Sequence, residues 1–293
     1  MIKFTKYIWL YFLISSFVLS AGIYSLVRFG LRPSIDFAGG TLVELRVPSS
    51  VSADDISTKA RSIGMEVSSV QRSGKATFLV RSKSETDATI TTLAQSIASE
   101  SAVIVLRKET VGPILGKELL QKASVAAAIA ITVILLYVAY AFKNIKYGVS
   151  AIIALVHDVM VVIGMFSLFG HFYGVEVDTL FVTAVLTAMS FSVHDTIVVF
   201  DRIREYLRRD RSRPFEELVN VALTETMNRS ITNSFTIIFM LVALILMGGD
   251  SIRWFIVALL IGTVSGTYSS PFIAVPILFL WHKWEKEKAH TGV

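Results

Sequence analysis

Two triplets of identical composition, Val156-His157-Asp158 and Val193-His194-Asp195, lie within long apolar stretches of the chain. A central Asp in a membrane span costs about 2.5–3.5 kcal/mol even on lenient insertion scales, so such carboxylates face a bundle interior, a partner or an ion path. The chemistry this points to is proton or ion handling. Asp195 stands six residues before Asp201, where the apolar stretch meets a basic segment, which on a helix puts it about 9 Å inside that end. Arg229 falls at a similar depth in a later stretch. The two are candidates for an ion pair, which would lower the cost of burying either charge; a static bridge that only locks two helices fits the same residues. Successive helix positions diverge by about 100°, so His157 and Asp158 cannot both face one neighbour. Asp158 reads as a helper or packing contact, with a relay role as the alternative. His157 and His194 read as hydrogen-bonding residues first and titrating groups second, since imidazole ordinarily titrates near pH 6.5.

Other chemistries fare worse. Two His and two Asp on facing helices raise metal ligation, but adjacent His-Asp pairs diverge rather than chelate. Neither a His-Glu-x-x-His motif nor a third His at ligand spacing accompanies them, so neither a metal nor intramembrane hydrolysis is expected. The chain contains no Cys, which removes disulfides and thiolate catalysis. It has no Gly-Lys-Ser or Gly-Lys-Thr phosphate loop, so ATP is not its energy source and no cofactor is expected. An ion gradient is left. One charge moved through about 150 mV yields about 3.5 kcal/mol, short of the roughly 5.5 kcal/mol that full two-state switching needs. More than one proton, or help from a pH gradient, is therefore required. Nothing in the residues separates proton from sodium coupling.

The elements that position these residues follow from composition. Of 293 residues, 53% are apolar and 17% charged, the balance of a polytopic α-helical membrane protein. Six spans are expected at 8–27, 123–142, 147–169, 179–200, 226–247 and 254–280, each near the roughly 20 residues that cross about 30 Å of hydrocarbon. The first is expected to be a retained span rather than a cleaved signal peptide, because its apolar core is too long and five more follow. Thirteen basic residues collect on one side: Lys3, Lys6, Lys143, Lys146, Arg202, Arg204, Arg208, Arg209, Arg211, Arg213, Lys283, Lys286 and Lys288. The opposite short loops hold only Arg253. Both termini are thus expected in the cytoplasm. The net charge of +5 is a topology signal, with anionic lipid contact as a further use, and not a sign of nucleic-acid binding.

The division expected is a cytoplasmic N-terminus and first span at 1–30, an extracytoplasmic domain at 31–121, a core of five spans at 122–281 and a cytoplasmic tail at 282–293. The domain reads as strand 41–47, helix 53–63, strands 66–71 and 76–81 around Ser73-Gly74, helix 85–99 and strand 102–108. This βαββαβ order is the split ferredoxin-like arrangement, an α+β domain with one sheet face free for a partner chain. Asp36, Gly39 and Gly40 on one side, and Gly112, Pro113 and Gly116 on the other, form junctions. Good linkers and functional hinges are both open readings of them. Gly262-x-x-x-Gly266, with Ser265, Ser269 and Ser270, offers a small-residue face for close helix contact. Pro271 and Pro276 permit kinks.

Several runs together resemble the SecF family, the smaller subunits of SecDF export accessory complexes. They are Ile35-Asp36-Phe37-Ala38-Gly39-Gly40, Val111-Gly112-Pro113 with Gly116, Ala154-Leu155-Val156-His157-Asp158-Val159, the run from His194 through Asp195-Thr196-Ile197-Val198-Val199-Phe200-Asp201-Arg202-Ile203-Arg204-Glu205, and Ser265-Gly266-Thr267-Tyr268-Ser269-Ser270. The resemblance extends from the first span to the last. It implies a resistance-nodulation-division scaffold in the bacterial cytoplasmic (inner) membrane, acting with SecD and the SecYEG channel, and YidC as a further candidate, to draw preproteins across by proton flow. It also implies that Asp195 and Arg229 are tied to proton passage. Two departures stand out: His194 where many relatives have Asn, and Ser34 where they have Gly, for which a stiffer turn is expected. The alternatives are a proton-coupled exporter of lipids or small molecules on the same scaffold, or a non-transporting assembly factor. None of these is an enzyme.

Overall fold

Long apolar stretches can satisfy their backbone in lipid only as helices or closed barrels. Among the described residues of this computed structural model, six helical stretches are long and apolar enough to cross a membrane: Phe4–Phe29, Pro113–Val138, Ile145–Tyr173, Thr179–Arg209, Phe215–Met247 and Ile252–Lys288. The structure describes residues 3–74, 76–83, 85–97, 103–142, 144–210 and 212–291. In chain order the elements are α1 (Ile8–Phe29), α2 (Ile35–Ala38), β1 (Gly40–Arg46), α3 (Ala53–Ser62), β2 (Val67–Arg72), β3 (Thr77–Ser82), α4 (Asp87–Ile97) and β4 (Ile104–Val111). They continue as α5 (Pro113–Phe142), α6 (Ile145–Tyr173), α7 (Thr179–Arg209), α8 (Phe215–Met247), α9 (Asp250–Ser269) and, after a π-helical turn at Ser270–Ala274, α10 (Val275–Thr291). Two compact units result: Met1–Leu31 with Ala127–Val175 and Leu180–Val293, and Arg32–Ala126 with Glu176–Thr179.

The helical unit departs from expectation at its ends. The fourth span runs on to Arg209 and the fifth begins at Phe215 rather than near 226. Part of the basic segment is therefore helix, and there Arg202 bridges to Glu205 and to Glu225 of α8, so not all of its charge stays free. The sixth stretch is not one regular helix. Pro271 lacks the N–H that an α-helix would use, and the chain passes through the π turn at that point. The unit's buried core collects Phe4, Phe142, Tyr147, Phe200, Phe215 and Leu278, among others. Phe142 and Tyr147 stack at 5.3 Å, and Phe200 meets both rings edge-on.

In the second unit four strands form an antiparallel sheet in the order β2-β3-β1-β4. Two-residue alternation sends Val43, Leu45, Phe78 and Val80 to one face, where Ile56 and Ala60 of α3 and Ile90, Leu93 and Ile97 of α4 cover them. Ser52 starts α3 with a reciprocal capping box to Asp55, worth about 1 kcal/mol. β4 continues three residues beyond the expected 108, and only Gly112 separates it from α5. The expected helix end at Ser99 and strand start at Ala102 lie outside the described residues.

Candidate functional site

Asp158, expected as a helper or packing contact with a relay role as the alternative, is the most heavily bonded carboxylate among the described residues of the helical unit. It is 4% exposed. Ser265 Oγ donates to its Oδ1 at 2.6 Å, and His157 Nδ1 lies 3.0 Å from the same oxygen. Ser192 Oγ and Ser269 Oγ donate to its Oδ2 at 2.5 and 2.6 Å. One side chain on α6 is thus held by hydroxyls from α7 and α9. Ser265 and Ser269 are one turn apart, so both reach the same neighbour. An ionised carboxylate is acceptor-only, and three hydroxyl donors suit that form. His157 is also buried, and its Nε2 has no hydrogen-bond partner among the described residues. A thread of polar groups leaves the cluster: the Ser192 carbonyl accepts from Thr196 Oγ1 and Ser270 Oγ, and those two hydroxyls lie 2.8 Å apart.

Asp195 lies one helix position before Thr196. It is half-buried, and Ser230 Oγ of α8 donates to its Oδ2 at 2.7 Å. The ion pair with Arg229 is not formed. Arg229 and Ser230 are adjacent, so they point about 100° apart; the hydroxyl meets Asp195 while Arg229 is exposed, as is His194. The five intramembrane candidates therefore divide into a buried pair, His157 and Asp158, a half-buried Asp195 held by Ser230, and the exposed His194 and Arg229. Sequence reasoning missed Ser192 and Ser230. The available signal was the demand itself: a buried carboxylate needs donors, and hydroxyls on neighbouring apolar stretches supply them.

The small-residue face of α9 packs within the chain rather than offering itself elsewhere. A Cβ on Gly262 would sit 2.3 Å from Ala188 Cβ, and one on Gly266 would sit 2.9 Å from Ser192 Cβ. This approach brings Ser265 and Ser269 to Asp158. A second crossing was not anticipated: Gly22 of α1 meets Gly164 of α6 with 3.1 Å between a Gly22 Cβ and the Gly164 Cα. Ser25 and Ser167 bond at 2.8 Å beside it.

The two junctions of the second unit touch each other. Gly39 (φ +74°) would place a Cβ 2.8 Å from Pro113 Cα, and Gly116 would place one 3.0 Å from the Phe37 oxygen. Gly40 (φ +127°) lies against the Ser82 carbonyl. Ser34 caps α2 by accepting from Asp36 N–H. Asp36 Oδ2 accepts from Thr179 N and Thr179 Oγ1 at 3.1 and 2.9 Å, so it caps the start of α7. The strap formed by Glu176–Thr179 is held further by Val177 N–H to Arg32 O and Ser34 N–H to Val177 O. Arg81 Nε lies 2.7 Å from Glu176 Oε2. Burial pushes the Glu176 carboxyl up to about 7, against the pull of Arg81.

Among the described residues no group of three or more His, Asp or Glu is placed to hold a metal. The architecture defines a multi-pass membrane protein whose bundle carries paired polar centres and whose second unit is a small antiparallel α+β body. Residues 90–284 match the family described as protein export membrane protein SecD/SecF, C-terminal, and residues 24–47 match the SecD/SecF GG motif. The SecF protein translocase subunit of Thermobaculum terrenum is 39% identical over 300 residues, covering 96% of this chain and 94% of that one. The crystal structure of SecDF from Thermus thermophilus superposes with a TM-score of 0.87 at 32% identity, covering 96% of this chain and 39% of its own. SecDF in a super-membrane-facing form gives 0.70 at the same identity, covering 99% and 39%. The chain thus spans about two fifths of the solved SecDF chains. It belongs to the SecD/SecF family of protein-export membrane proteins, and within that family to the SecF protein translocase subunits.

Proposed function

We propose that the chain works with a SecD subunit to couple the proton gradient to preprotein movement through SecYEG in the bacterial inner membrane, with both termini cytoplasmic. The observation that carries this is Asp195: a carboxylate within a span, half-buried, with His194 and Arg229 exposed beside it. An uncovered ionisable face inside a bilayer is costly, and a second helical subunit would cover it. The SecDF chains, of which this chain spans two fifths, support SecD as that subunit. In this reading Asp195 takes up and releases the proton and Arg229 compensates its charge, without a cofactor. The second unit is read as a split ferredoxin-like domain on the extracytoplasmic side, an assignment its strand order supports. Its junctions, in mutual contact at Gly39 and Pro113, are proposed to move together; the two SecDF forms favour a scaffold with more than one arrangement.

The test is proton flux and preprotein translocation in vesicles containing this chain, SecD and SecYEG. Asp195→Asn should abolish gradient-stimulated transport while the protein accumulates normally. Wild-type flux in that variant would remove the proton-carrier role.

A further inference from the structure

We infer that His157 is a second proton-accepting group of the bundle, acting at Nε2, and that Asp158 is the positioning residue that prepares it. The inference rests on the proton-coupled reading above but on different residues. Asp158 receives three hydroxyl donors, from Ser192, Ser265 and Ser269. A protonated acid would have to turn one oxygen into a donor, so the ionised, acceptor-only form fits this ring of donors. With Asp158 unable to donate, the 3.0 Å contact to His157 requires the proton to sit on Nδ1. That fixes the tautomer, in the way that the partner of one ring nitrogen sets the state of the other. Nε2 is then a bare lone pair, and it is this nitrogen that is buried without a partner among the described residues.

A buried acceptor left unbonded is destabilising, and a site that takes a proton gives it a use. Nε2 accepts one proton and the ring becomes imidazolium; the adjacent Asp158 carboxylate balances its charge, so the pair changes from −1 to neutral. Release of the same proton restores the starting state. Among the described residues, the titratable groups facing the ring are Asp158 on its own helix and Tyr268 of α9, whose ring centroid is 6.2 Å away. Tyr268 donates to the Tyr11 carbonyl of α1 and receives Ser15, so its hydroxyl is engaged elsewhere. Counting along α6 from Ile145, His157 lies about 18 Å from the helix start, near the middle of the span.

The experiment uses the full chain with SecD in vesicles and reads two signals. The first is the ring-nitrogen NMR of His157 in ¹⁵N-histidine-labelled protein, assigned by replacing His171, His194, His282 and His290 one at a time. We expect Nδ1–H with Nε2 unprotonated at the alkaline end of the series and uptake of a proton at Nε2 on acidification, in wild type and in Asp195→Asn alike. The second is proton flux in His157→Asn, whose side-chain amide keeps a donor near the Nδ1 position but cannot titrate. Flux should fall about a hundredfold, the lower end for losing a positioned acid–base group. An Nε2–H tautomer at high pH, no proton uptake on acidification, or wild-type flux in His157→Asn would each overturn the inference. If His157→Asn fails to accumulate, the wild-type NMR titration decides it alone. Failure of the Asp195 reading would show instead as normal flux in Asp195→Asn, which leaves the His157 signals unaffected.

Discussion

Glu176→Gln isolates one charge in the strap that joins α6 to α7. The Glu176 side chain is 12% exposed, with Arg81 Nε 2.7 Å away. Burial raises its carboxyl from 4.5 to about 7, while Arg81 and then Arg32 pull it down and Asp178 adds to the rise. Because the folded value is the higher one, the folded strap binds the proton more tightly than the opened one. Its stability contribution is fully present below about pH 4.5 and is lost as pH rises through about 7. Over that interval, at about 1.36 kcal/mol per pH unit, the change is at most about 3 kcal/mol. Hydrogen exchange can read this locally, since Val177 N–H bonds to Arg32 O and Ser34 N–H bonds to Val177 O. After correction for the intrinsic exchange rate, protection at these two amides should fall by up to about a hundredfold between pH 5 and pH 8. In Glu176→Gln it should be nearly flat. Protection that rises with pH in the wild type, or a slope that survives in the Gln variant, would refute the reasoning.

Two further outcomes are expected. Asp36→Ala removes both acceptor contacts at the start of α7 and should cost about 0.5–2 kcal/mol, seen as faster exchange at residues 179–182, with Asp36→Asn recovering part of the loss. Gly262→Leu forces a Cβ into the 2.3 Å gap to Ala188 and should destabilise the bundle by about 1–3 kcal/mol, read as a lowered Tm in detergent; Ala188→Gly in the same chain should return some of it.

The long elements were legible because apolar length alone specifies them: all six expected spans lie within or close to helices of the structure, and the strand and helix order of 41–108 follows from two-residue alternation and turn residues. Span ends were less legible, since an amphipathic helix continues past the lipid boundary, as α7 does to Arg209. The site residues were legible by type but not by direction. His157, Asp158, Asp195 and Arg229 stand out as charges in apolar surroundings, yet which of two adjacent residues meets a neighbour depends on helix rotation, and that reversed the expected partner of Asp195 from Arg229 to Ser230. The same gap hid Ser192, an ordinary hydroxyl until α6 and α9 converge on it. The end of β4 was not legible either, because the strand continues further than its apolar pattern: the unpatterned residues Glu109 and Thr110, just before the Gly112-Pro113 junction, still pair with β1.

The Asp158 cluster also constrains how the chain is made. The hydroxyls that neutralise its acceptor demand come from residues 34, 107 and 111 positions later in synthesis. At roughly 5–20 residues per second, α6 is threaded into the bilayer some 5 to 20 seconds before Ser269 exists. During that time its carboxylate carries an insertion penalty of about 2.5–3.5 kcal/mol with only His157 and then Ser192 to relieve it. Because α9 closes the polar centre, a chain truncated before Ser265 lacks more than a helix: it leaves Asp158 in mid-membrane without two of its three hydroxyl donors.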